Sequence, residues 1–502
     1  MEGKNMLDNW RLSKYNKNTQ KTNSKKCDKE QKINLKNIKE CFKDCADVSF
    51  KKFIVGNEEF VLIYIENLVD SNLIDNYILR PLSNGNNKPY SVENLDLFGK
   101  IENGMIPHIS TVIETEISNL IIHILNGNIC LLNINIDTKA ITFDVKKVEK
   151  RSITEPSNEN VIKGSKETFI ENIKVNIGLV RNRIKTSDLK VREIKVGKEA
   201  PTTIVVMYLD QVVDKAILDE LLTRISNIST NKLVAVGDFE EQIVENKYSI
   251  FPQIAYTEKS DKFVANIVEG KIGILIDGVP VAYTVPALFN MFFQAPEDYS
   301  VNYALASVLR ILRYICMIMT IVLPAFFVSI TTFHQEMIPT ELALSIIKSK
   351  QGEPFPILIE VVFMLISFEV LIEASARLPK TIGQTISIVG GLIIGEAAVN
   401  ADIVSPVVVI IIAITGISGF LMPNQDLSNA LRLTRFLLLI LSGIAGLYGM
   451  GIGLVIIFYY LSSLESFGIP YFAPFSGTDG KNVLVDTLVR SPMEDMRSKT
   501  KK

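Results

Sequence analysis

The chain has 502 residues, of which 22% are charged and 47% hydrophobic, and its formal net charge is −2. This length allows two to four domains, and the near-neutral balance offers no basic surface for a nucleic-acid partner. The sequence contains no P-loop, HExxH or GxSxG pattern, so neither an enzyme nor a cofactor is expected.

Five cysteines are scattered along the chain, an odd number that argues against a disulfide framework. Cys41 and Cys45 lie four residues apart, but no second pair and no nearby histidine completes a metal site. The two are therefore expected to be a reduced pair, and no metal ion is predicted.

Residues 1–52 are rich in lysine and asparagine and poor in large hydrophobic side chains. Such a stretch cannot bury enough apolar surface to offset its ordering entropy, so it is predicted to be a disordered basic tail. A weak attraction of this tail to anionic lipid headgroups is the alternative. Its start carries no apolar run that could serve as a signal peptide. About 300 residues precede the first long apolar segment, and they are expected in the cytoplasm.

The part before the apolar region contains an internal duplication. Residues 61–76 (VLIYIENLVDSNLIDN) resemble residues 205–220 (VVMYLDQVVDKAILDE) at an offset of 144, and residues 124–145 parallel 267–285 at an offset of 143. Each copy has the pattern of a strand, an acidic turn, a helix, a second helix, a glycine and two further strands. The shared residues are core hydrophobes and turn or cap aspartates, which indicates a structural repeat rather than shared chemistry.

The duplication predicts two α/β cytoplasmic subdomains, at 53–155 and 191–290, joined by a helical linker at 156–190. Within this linker, hydrophobic residues recur at helical spacing from Phe169 to Ile184. The helix is expected to pack on its own subdomain, with contact to a neighbouring subunit as the alternative.

Five apolar segments follow, at 314–333, 354–379, 385–401, 406–422 and 436–461. The third is short for a span before Glu396, which favours a re-entrant segment. The fold class is expected to be an α+β/α multi-domain membrane protein, in which duplicated α/β cytoplasmic subdomains precede an all-α transmembrane domain. That domain is predicted at 291–475 with about four to five spans, followed by a C-terminal tail at 476–502.

The distribution of basic residues does not decide how these segments are oriented in the membrane. If the third segment is re-entrant, the C-terminal tail lies inside but Arg432 and Arg435 lie outside. If it spans, the two arginines lie inside and the tail lies outside. Each arrangement violates the positive-inside tendency once.

Carboxylates lie within the apolar segments, where a charge costs about 2.5–3.5 kcal/mol on insertion scales. Four of them are candidates for a cation pathway: Glu360, Glu369, Glu373 and Glu396. Glu369, Glu373 and Arg377 are four residues apart and share a helix face, so Arg377 is expected to pair with Glu373. Glu360 lies about 180° around the same helix. An internally salt-bridged bundle with no transport role is the alternative.

Two turns flank these helices. His334, Glu336 and Pro339 follow the first apolar segment in the run FHQEMIP, and Arg377 and Pro379 end the second. Pro339 is expected to close the element before it. All five residues are candidates for helix pairing or gating.

Several runs of the sequence follow the pattern of a known family: HQEMIP, PFPILIEVVFMLISFEVLIEASARLP, IGQTISIVGGLIIGEAAVNADIVSP, FIENIKVNIGLVRNRI, IDGVPVAYTVP, PEDYS and LSSLESFGIPYFAPF. They resemble the A subunits of spore germination receptors (GerA type). The resemblance covers roughly residues 60–475. It departs from the family pattern at 163–165 (KGS), 257–261 (TEKSD) and 373–375 (EAS).

The resemblance implies a multi-pass protein of the inner membrane of a dormant bacterial spore, with its N-terminal domain in the cytoplasm. It implies two partners, a transporter-like B subunit that binds the nutrient and a lipoprotein C subunit. It also implies a ring-like homo-oligomer that forms a nutrient-gated channel for monovalent cations and triggers germination. The residues agree on one point by themselves, since carboxylates on membrane helices, repeated around a ring, favour cations.

Two other functions stay open. One is a non-conducting membrane scaffold that relays nutrient binding by the partner subunit. The other is a secondary transporter with a broken apolar segment near the midplane. The transporter is less favoured because the internal repeat lies outside the apolar part.

Overall fold

A computed structural model describes residues 32–55, 58–80, 99, 110–134, 138–146, 165–228, 236–379, 391, 393–473, 475 and 487–490. These residues fall into two compact units. The α/β unit holds the described residues up to Thr284, apart from those within Glu159–Lys166 and Glu240–Ala255. The helical unit holds those two segments and the described residues from Val285 onward.

The first half of the α/β unit is a five-stranded antiparallel sheet with flanking helices. Its elements are α1 (Leu35–Cys41), β1 (Val48–Val55), β2 (Glu58–Ile65), a helical turn (Ser71–Leu73) continued by a π-helix (Ile74–Leu79), β3 (Thr111–Glu114), α2 (Ile117–Leu125), β4 (Ile129–Asn133) and β5 (Ala140–Phe143). The strand order is β1-β2-β4-β5-β3. The neighbouring strands β2 and β4 are nearly continuous apolar runs, and both of their faces are covered.

The second half repeats this arrangement. Its elements are α3 (Ile173–Arg183), β6 (Leu189–Val196), β7 (Thr202–Leu209), α4 (Lys215–Ser226), α5 (Val236–Ile243), β8 (Ala255–Thr257), α6 (Ser260–Val268), β9 (Ile272–Ile276) and β10 (Ala282–Val285). The strand order is β6-β7-β9-β10-β8, the same as in the first half. Strands β2 and β7 begin 144 residues apart, at the offset of the sequence repeat. The duplication in the sequence is therefore a duplication of the fold.

The residues shared by the repeat serve caps and turns. Asp70 and Asp214 begin equivalent helices, and each accepts a hydrogen bond from the backbone N–H two residues on, at 2.9 Å. This bond satisfies an amide that the helix leaves unpaired. Gly127 and Gly270 have φ of 91° and 95°, and a Cβ on either would lie 3.1 Å from a carbonyl oxygen. Both positions therefore require glycine.

The predicted start of the first half differs from the structure. Residues 1–31 lie outside the described residues, but α1 and β1 both begin inside the stretch predicted as a tail. Ile33, Ile38 and Phe42 are almost fully buried in the core of this half. Ile38 and Phe42 lie one helical turn apart. The lysine- and asparagine-rich composition around them obscured this short amphipathic signal.

The helix predicted as a linker belongs to the second half. The apolar residues whose spacing predicted the helix pack in one core with strands β6, β7 and β9: Phe169, Ile173, Ile177, Val180 and Ile184. Strand β6 begins at Leu189, before the predicted end of the linker. The helix therefore packs on its own subdomain, as expected, and is part of that subdomain rather than a separate connector.

The cysteines differ from the expectation in one respect. Cys41 is disulfide-bonded, so the expected reduced state is wrong for this residue. The spacing of Cys41 and Cys45 does not indicate whether either cysteine has a disulfide partner elsewhere in the chain. Cys45 is a free, buried thiol, and burial raises its pKa because the thiolate would lose its hydration.

A buried ion pair links the two halves of the α/β unit. Arg181 on α3 donates from Nε and Nη2 to the two carboxylate oxygens of Asp47, at 2.7 and 3.0 Å. Its Nη1 donates to the carbonyl oxygen of Thr186 at 3.1 Å, and neither charged side chain is exposed. Beside the pair, the Ala46 N–H donates to the Val191 carbonyl at 2.9 Å. This bidentate ion pair fixes the first half of the α/β unit against the second half.

The helical unit contains α7 (Tyr303–Thr332), α8 (Thr340–Ser349), α9 (Ile357–Ala376), a helical stretch at 393–400, α10 (Pro406–Phe420) and α11 (Gln425–Ser463). Two-residue strands at Glu465–Ser466 and Ile469–Pro470 follow α11. Of the described helices, α7 and α11 are long and apolar enough to cross a membrane, and α10 is a shorter apolar helix. Asn302 and Asn424 cap the two long helices through their side chains.

The helix α11 folds back on itself at Gly446. This residue has φ 59° and ψ −141°, a conformation open essentially to glycine alone. A Cβ at Gly449 would overlap the carbonyl oxygen of Leu441, although eight residues of continuous helix would separate them by about 12 Å. The chain must therefore reverse, and α11 consists of two antiparallel arms, 425–444 and 447–463.

The hairpin corrects the prediction for the fifth apolar segment. Gly449 and Gly453 form a GxxxG pattern, and a Cβ at Gly453 would lie 2.6 Å from Cδ1 of Leu438 on the other arm. Small residues at this spacing let two helices approach closely. Hydropathy does not reveal the turn, because Gly446 has apolar residues on both sides. The segment 436–461 therefore contains the end of the first arm, the turn and most of the second arm rather than one straight helix.

The helical unit has two ends, which we name by α7. At the proximal end, where Tyr303 begins α7, the backbone N–H of Phe289 donates to the carbonyl of Tyr471 at 2.9 Å. The Arg490 N–H donates to the Ser307 hydroxyl at 3.1 Å. The residues before α7, the foot of the second arm of α11 and the last described residues therefore meet at this end.

At the distal end, α7 is followed by Phe333, and a Cβ on Gly446 would lie 2.8 Å from Cβ of Phe333. The tip of the hairpin therefore lies beside the end of α7. Helix α9 also begins here, because Leu358 packs against Gly443 near the tip. The start of α10 lies beside the start of α9, since the Ser405 N–H donates to a carboxylate in the first turn of α9 at 3.2 Å.

Candidate functional site

Glu369 lies between two arginines of the first arm of α11. Arg432 donates from Nη1 to Oε2 of Glu369 at 3.1 Å, and Arg435 donates from Nη2 to Oε1. The Arg435 side chain is 2% exposed. Removing either partner from such a site would leave a poorly hydrated charge. The carboxylate predicted for a cation pathway is therefore held inside the unit by two cations.

Glu360 occupies a second, separate environment at the distal end. Lys350 Nζ lies 3.1 Å from its Oε1, and the Ser405 N–H donates to its Oε2 at 3.2 Å. The Glu360 side chain is completely buried. The sequence predicts that one helix presents carboxylates to two surroundings, and the structure has this arrangement. The buried Glu360 and the partly buried Glu369 are both ion-paired, as in the alternative of a salt-bridged bundle.

The remaining two carboxylates are exposed. Arg377 donates from Nε and Nη2 to Glu373 Oε1 at 3.0 and 2.5 Å, so the predicted pair is present. Their side chains are 66% and 78% exposed, respectively for Glu373 and Arg377. Glu396, in the helical stretch 393–400, is also exposed. Within one chain, the structure does not bring the four predicted carboxylates together into a single site.

Glu373 continues an exposed apolar stripe on α9. The stripe recurs at helical spacing and contains Ile359, Phe363, Ile366 and Val370. The spacing of these residues places them on one face of the helix. An apolar face that ends in an ion pair is left without a cover in the single chain. Such a face is typical of a surface that meets lipid or another protein.

The candidate gating residues surround the distal turn and the end of α9. His334 is half-buried, with Nδ1 3.5 Å from the Ser329 carbonyl oxygen. Glu336, Pro339 and Pro379 are exposed. Pro339 immediately precedes α8 rather than closing α7, and α8 has no buried residue. Residues 380–390, after Pro379, lie outside the described residues.

Buried hydroxyls in the apolar helices satisfy their own chains. Thr320, Thr415 and Thr434 each donate to the carbonyl four residues earlier, at 2.7–2.8 Å. Such back-bonding leaves no unpaired hydroxyl donor at these positions. These positions are therefore compatible with a hydrocarbon environment, in which unpaired polar groups are costly.

Sequence reasoning missed the partners of Glu369 and Glu360. Arg432 and Arg435 are 63 and 66 residues from Glu369 along the chain. The signal was available, because two arginines three residues apart precede the fifth apolar segment. Their position indicated direction in the membrane but not which carboxylate they bind. Lys350 lies in a polar turn that offered no signal for pairing with Glu360.

A polar cavity of about 480 Å³ in the α/β unit was also not foreseen. Charges of both signs line it, from Lys51, Glu66, Asp70 and Lys174. A hydrogen bond with Tyr64, which also lines the cavity, raises the pKa of Lys51. The cavity therefore presents both positive and negative groups to solvent.

These features define a two-part protein, in which a duplicated α/β unit precedes a unit of apolar helices that contain buried ion pairs. The chain belongs to the Bacillus/Clostridium GerA spore germination protein family, whose profile matches residues 36–502. The exposed apolar surface and the paired charges described above are therefore features of a spore germination protein.

Two relatives in Bacillus subtilis support this membership. The chain is 37% identical to the uncharacterized membrane protein YfkQ of Bacillus subtilis, over 92% of this chain and 90% of the relative. It is 36% identical to spore germination protein KA of the same organism, over 91% and 84% respectively. A crystal structure of the N-terminal domain of the A subunit of the Bacillus megaterium spore germinant receptor GerK3 matches 51% of this chain and 96% of that chain, with 24% identity and a TM-score of 0.40.

Proposed function

We propose that this chain is the A subunit of a nutrient germinant receptor, which spans the inner membrane of the spore and forms an oligomeric, nutrient-gated cation channel that triggers germination. Membership of the germination protein family supports the first part. The proposed partners are further copies of this chain, a transporter-like B subunit that binds the nutrient, and a lipoprotein C subunit. The channel carries monovalent cations.

The exposed surface of the helical unit supports the membrane location. Large apolar side chains are uncovered along α7, α9, α10 and both arms of α11, including Ile318, Phe363, Ile417, Leu437 and Val455. A soluble monomer rarely exposes so extensive an apolar surface. Lipid and neighbouring subunits would cover it.

The hairpin supports an even number of crossings. α7 runs from the proximal to the distal end and α9 returns. The helical stretch 393–400 leads to the distal end, where α10 begins, and α10 returns. The two arms of α11 then go out and back. Both ends of the helical unit lie on the proximal side, which we assign to the cytoplasm. This topology favours a crossing over the expected re-entrant segment between α9 and α10, although residues 380–390 and 392 of that connection lie outside the described residues.

This arrangement removes the conflict in the distribution of basic residues. Arg377, Arg432 and Arg435 all lie towards the proximal side, and so does Arg490 in the C-terminal segment. The hairpin brings both the arginines of its first arm and the tail to one side. The positive-inside tendency is then satisfied at both places that sequence reasoning left in conflict.

The observation that carries the channel proposal is the exposure of Glu373 at the end of the uncovered stripe of α9. If copies of the chain meet along this stripe, each contributes a carboxylate to the same level of a ring. Rings of carboxylates attract cations. Glu396 is the second exposed candidate. Glu360 and Glu369 instead form ion pairs that hold the helices of one chain together.

Conduction is tested by neutralising the exposed carboxylates in spores. We expect Glu373→Gln and Glu396→Gln to lower the rate of potassium release after nutrient addition severalfold at an unchanged protein level, because the local cation concentration falls. The matched variant Glu341→Gln changes an exposed glutamate on α8 and should leave the rate unaltered. The release is measured with a potassium electrode.

A non-conducting scaffold is the second candidate, and the internal pairing of Glu360 and Glu369 favours it. Purified receptor in planar bilayers separates the two functions. Nutrient-dependent cation current supports the channel. Absence of current from a complex that still binds nutrient, together with unaltered potassium release in both exposed-carboxylate variants, would establish the scaffold instead.

A further inference from the structure

A second acidic residue lies beside Glu360 at the distal end. Glu353 belongs to the turn between α8 and α9, where its N–H donates to the carbonyl of Lys350 at 3.3 Å, and its carboxyl group lies beside that of Glu360. Two further charged groups face this pair. Lys350, at the end of α8, lies 3.1 Å from Glu360, and Asp402, in the turn before α10, contributes its negative charge.

A buried oxygen of Glu353 lacks a hydrogen-bond donor. Glu353 Oε2 accepts no hydrogen bond from a donor among the described residues, whereas the neighbouring Glu360 Oε1 has the Lys350 ammonium group at 3.1 Å, outside good hydrogen-bond geometry. The other oxygen of Glu360 accepts the Ser405 N–H. Two ionised carboxylates in contact repel each other, and a single proton placed between them removes the repulsion and satisfies both oxygens.

We infer that Glu353 and Glu360 form a proton-binding site that holds the turn between α8 and α9 against the start of α10. The ligand is one proton shared by the two carboxyl groups. With the proton bound, Lys350 balances the single remaining charge of the pair. Without the proton, the pair carries two negative charges next to Asp402. The repulsion then moves the Glu353 side chain away from Glu360, and the turn opens. This site goes beyond conduction and does not depend on it.

The environment of Glu353 supports this assignment. Burial, and then the charge and hydrogen bond of Glu360, raise the pKa of Glu353 from 4.5 to about 7. A carboxyl group with a raised pKa stabilises the closed turn fully below pH 4.5, and this stabilisation is lost as the pH rises through about 7. Within that window, each pH unit lowers the ratio of closed to open turn by up to about tenfold.

The test uses the full chain reconstituted in lipid bilayers. Infrared difference spectroscopy of the unaltered protein should show a protonated carboxyl band that disappears with a midpoint near pH 7. A mobility probe attached through a non-natural amino acid at the exposed Gln351 should become more mobile over the same range. Glu353→Gln should abolish the band and keep the probe immobile at every pH, because the amide donates the missing hydrogen bond.

Two further variants complete the design. Glu353→Ala should leave the probe mobile at every pH, and Glu341→Gln, at an exposed glutamate of α8, should behave like the unaltered protein. The unaltered protein alone can overturn the inference, if it shows neither a carboxyl transition between about pH 5 and 8 nor a change in probe mobility. A transition that persists in a folded Glu353→Gln variant would also overturn it.

Discussion

At the scale of single residues, the chain places charged side chains in buried positions and satisfies them with distant partners. Arg181 and Asp47 are 134 residues apart in sequence, and Glu369 is 66 residues from Arg435. Sequence patterns identify a charge in an apolar context, because that context is local. They do not identify the partner, because the fold brings the two residues together. The candidate carboxylates were therefore predictable as positions, and their ion pairs were not.

The pair between Asp47 and Arg181 gives the first stability prediction. Asp47→Asn should lower the free energy of unfolding by about 3–5 kcal/mol, because it leaves a buried guanidinium without a counter-charge. Glu220→Gln breaks a more exposed pair with Arg224, and should cost less than about 1 kcal/mol. Denaturant unfolding of the purified chain, followed by circular dichroism, measures both.

A double variant identifies the cause. Asp47→Leu combined with Arg181→Met removes both charges and should recover most of the lost stability. Equal stability of the single and double variants would mean that packing, rather than the unpaired charge, explains the loss.

At the scale of elements, secondary structure was predictable where polar turns separate the elements, and it was not where the chain reverses within an apolar run. The strands and helices of the α/β unit followed from alternation, from capping aspartates and from the repeat itself, since the same pattern occurred twice. The hairpin of α11 did not follow. Its turn uses Gly446 and Ala445 between apolar arms, without the polar residues that usually mark a chain reversal. The GxxxG pattern of Gly449 and Gly453 is typical of close helix packing, but it does not identify the packing partner as the same segment.

Gly446 gives the prediction at this scale. Gly446→Ala should destabilise the helical unit by about 1–3 kcal/mol, because φ of 59° with ψ of −141° disfavours any side chain. The added methyl group would also meet Phe333 and His334. Thermal unfolding of the protein in lipid nanodiscs measures the change.

Gly451→Ala is the matched control for the hairpin. This glycine is exposed and helical, and a Cβ there meets no atom within 4 Å. The variant should be neutral or more stable by up to about 1 kcal/mol. If the two variants unfold alike, the tight turn is not what holds the arms together.

At the scale of the whole molecule, the repeat and the apolar region were predictable because each is a long pattern. The boundaries of the domains were harder to predict than the domains themselves. A short helix at Leu35–Cys41 was hidden by its basic surroundings, and the helix at Ile173–Arg183 was read as a connector because it lies between the copies. The number of crossings depends on a turn inside an apolar run, and hydropathy averages over such a turn.

The proposed topology gives the prediction at this scale. Single cysteines in a cysteine-free background should react with an impermeant maleimide from outside at Asp402 and Tyr448. Those at Gln425 and Ser463 should react only after the membrane is permeabilised, because both feet of the hairpin lie in the cytoplasm. Opposite sides for Gln425 and Ser463 would mean that α11 crosses once.

The contact between Arg490 and Ser307 has a consequence for biosynthesis. The two residues are 183 positions apart, so the base of α7 leaves the ribosome long before its last partner is made. At about 5–20 residues per second, this interval is on the order of 10–40 s. A nascent chain therefore lacks this contact at the base of α7 through about the last third of translation, and a premature stop shortly before Arg490 would release the protein without it.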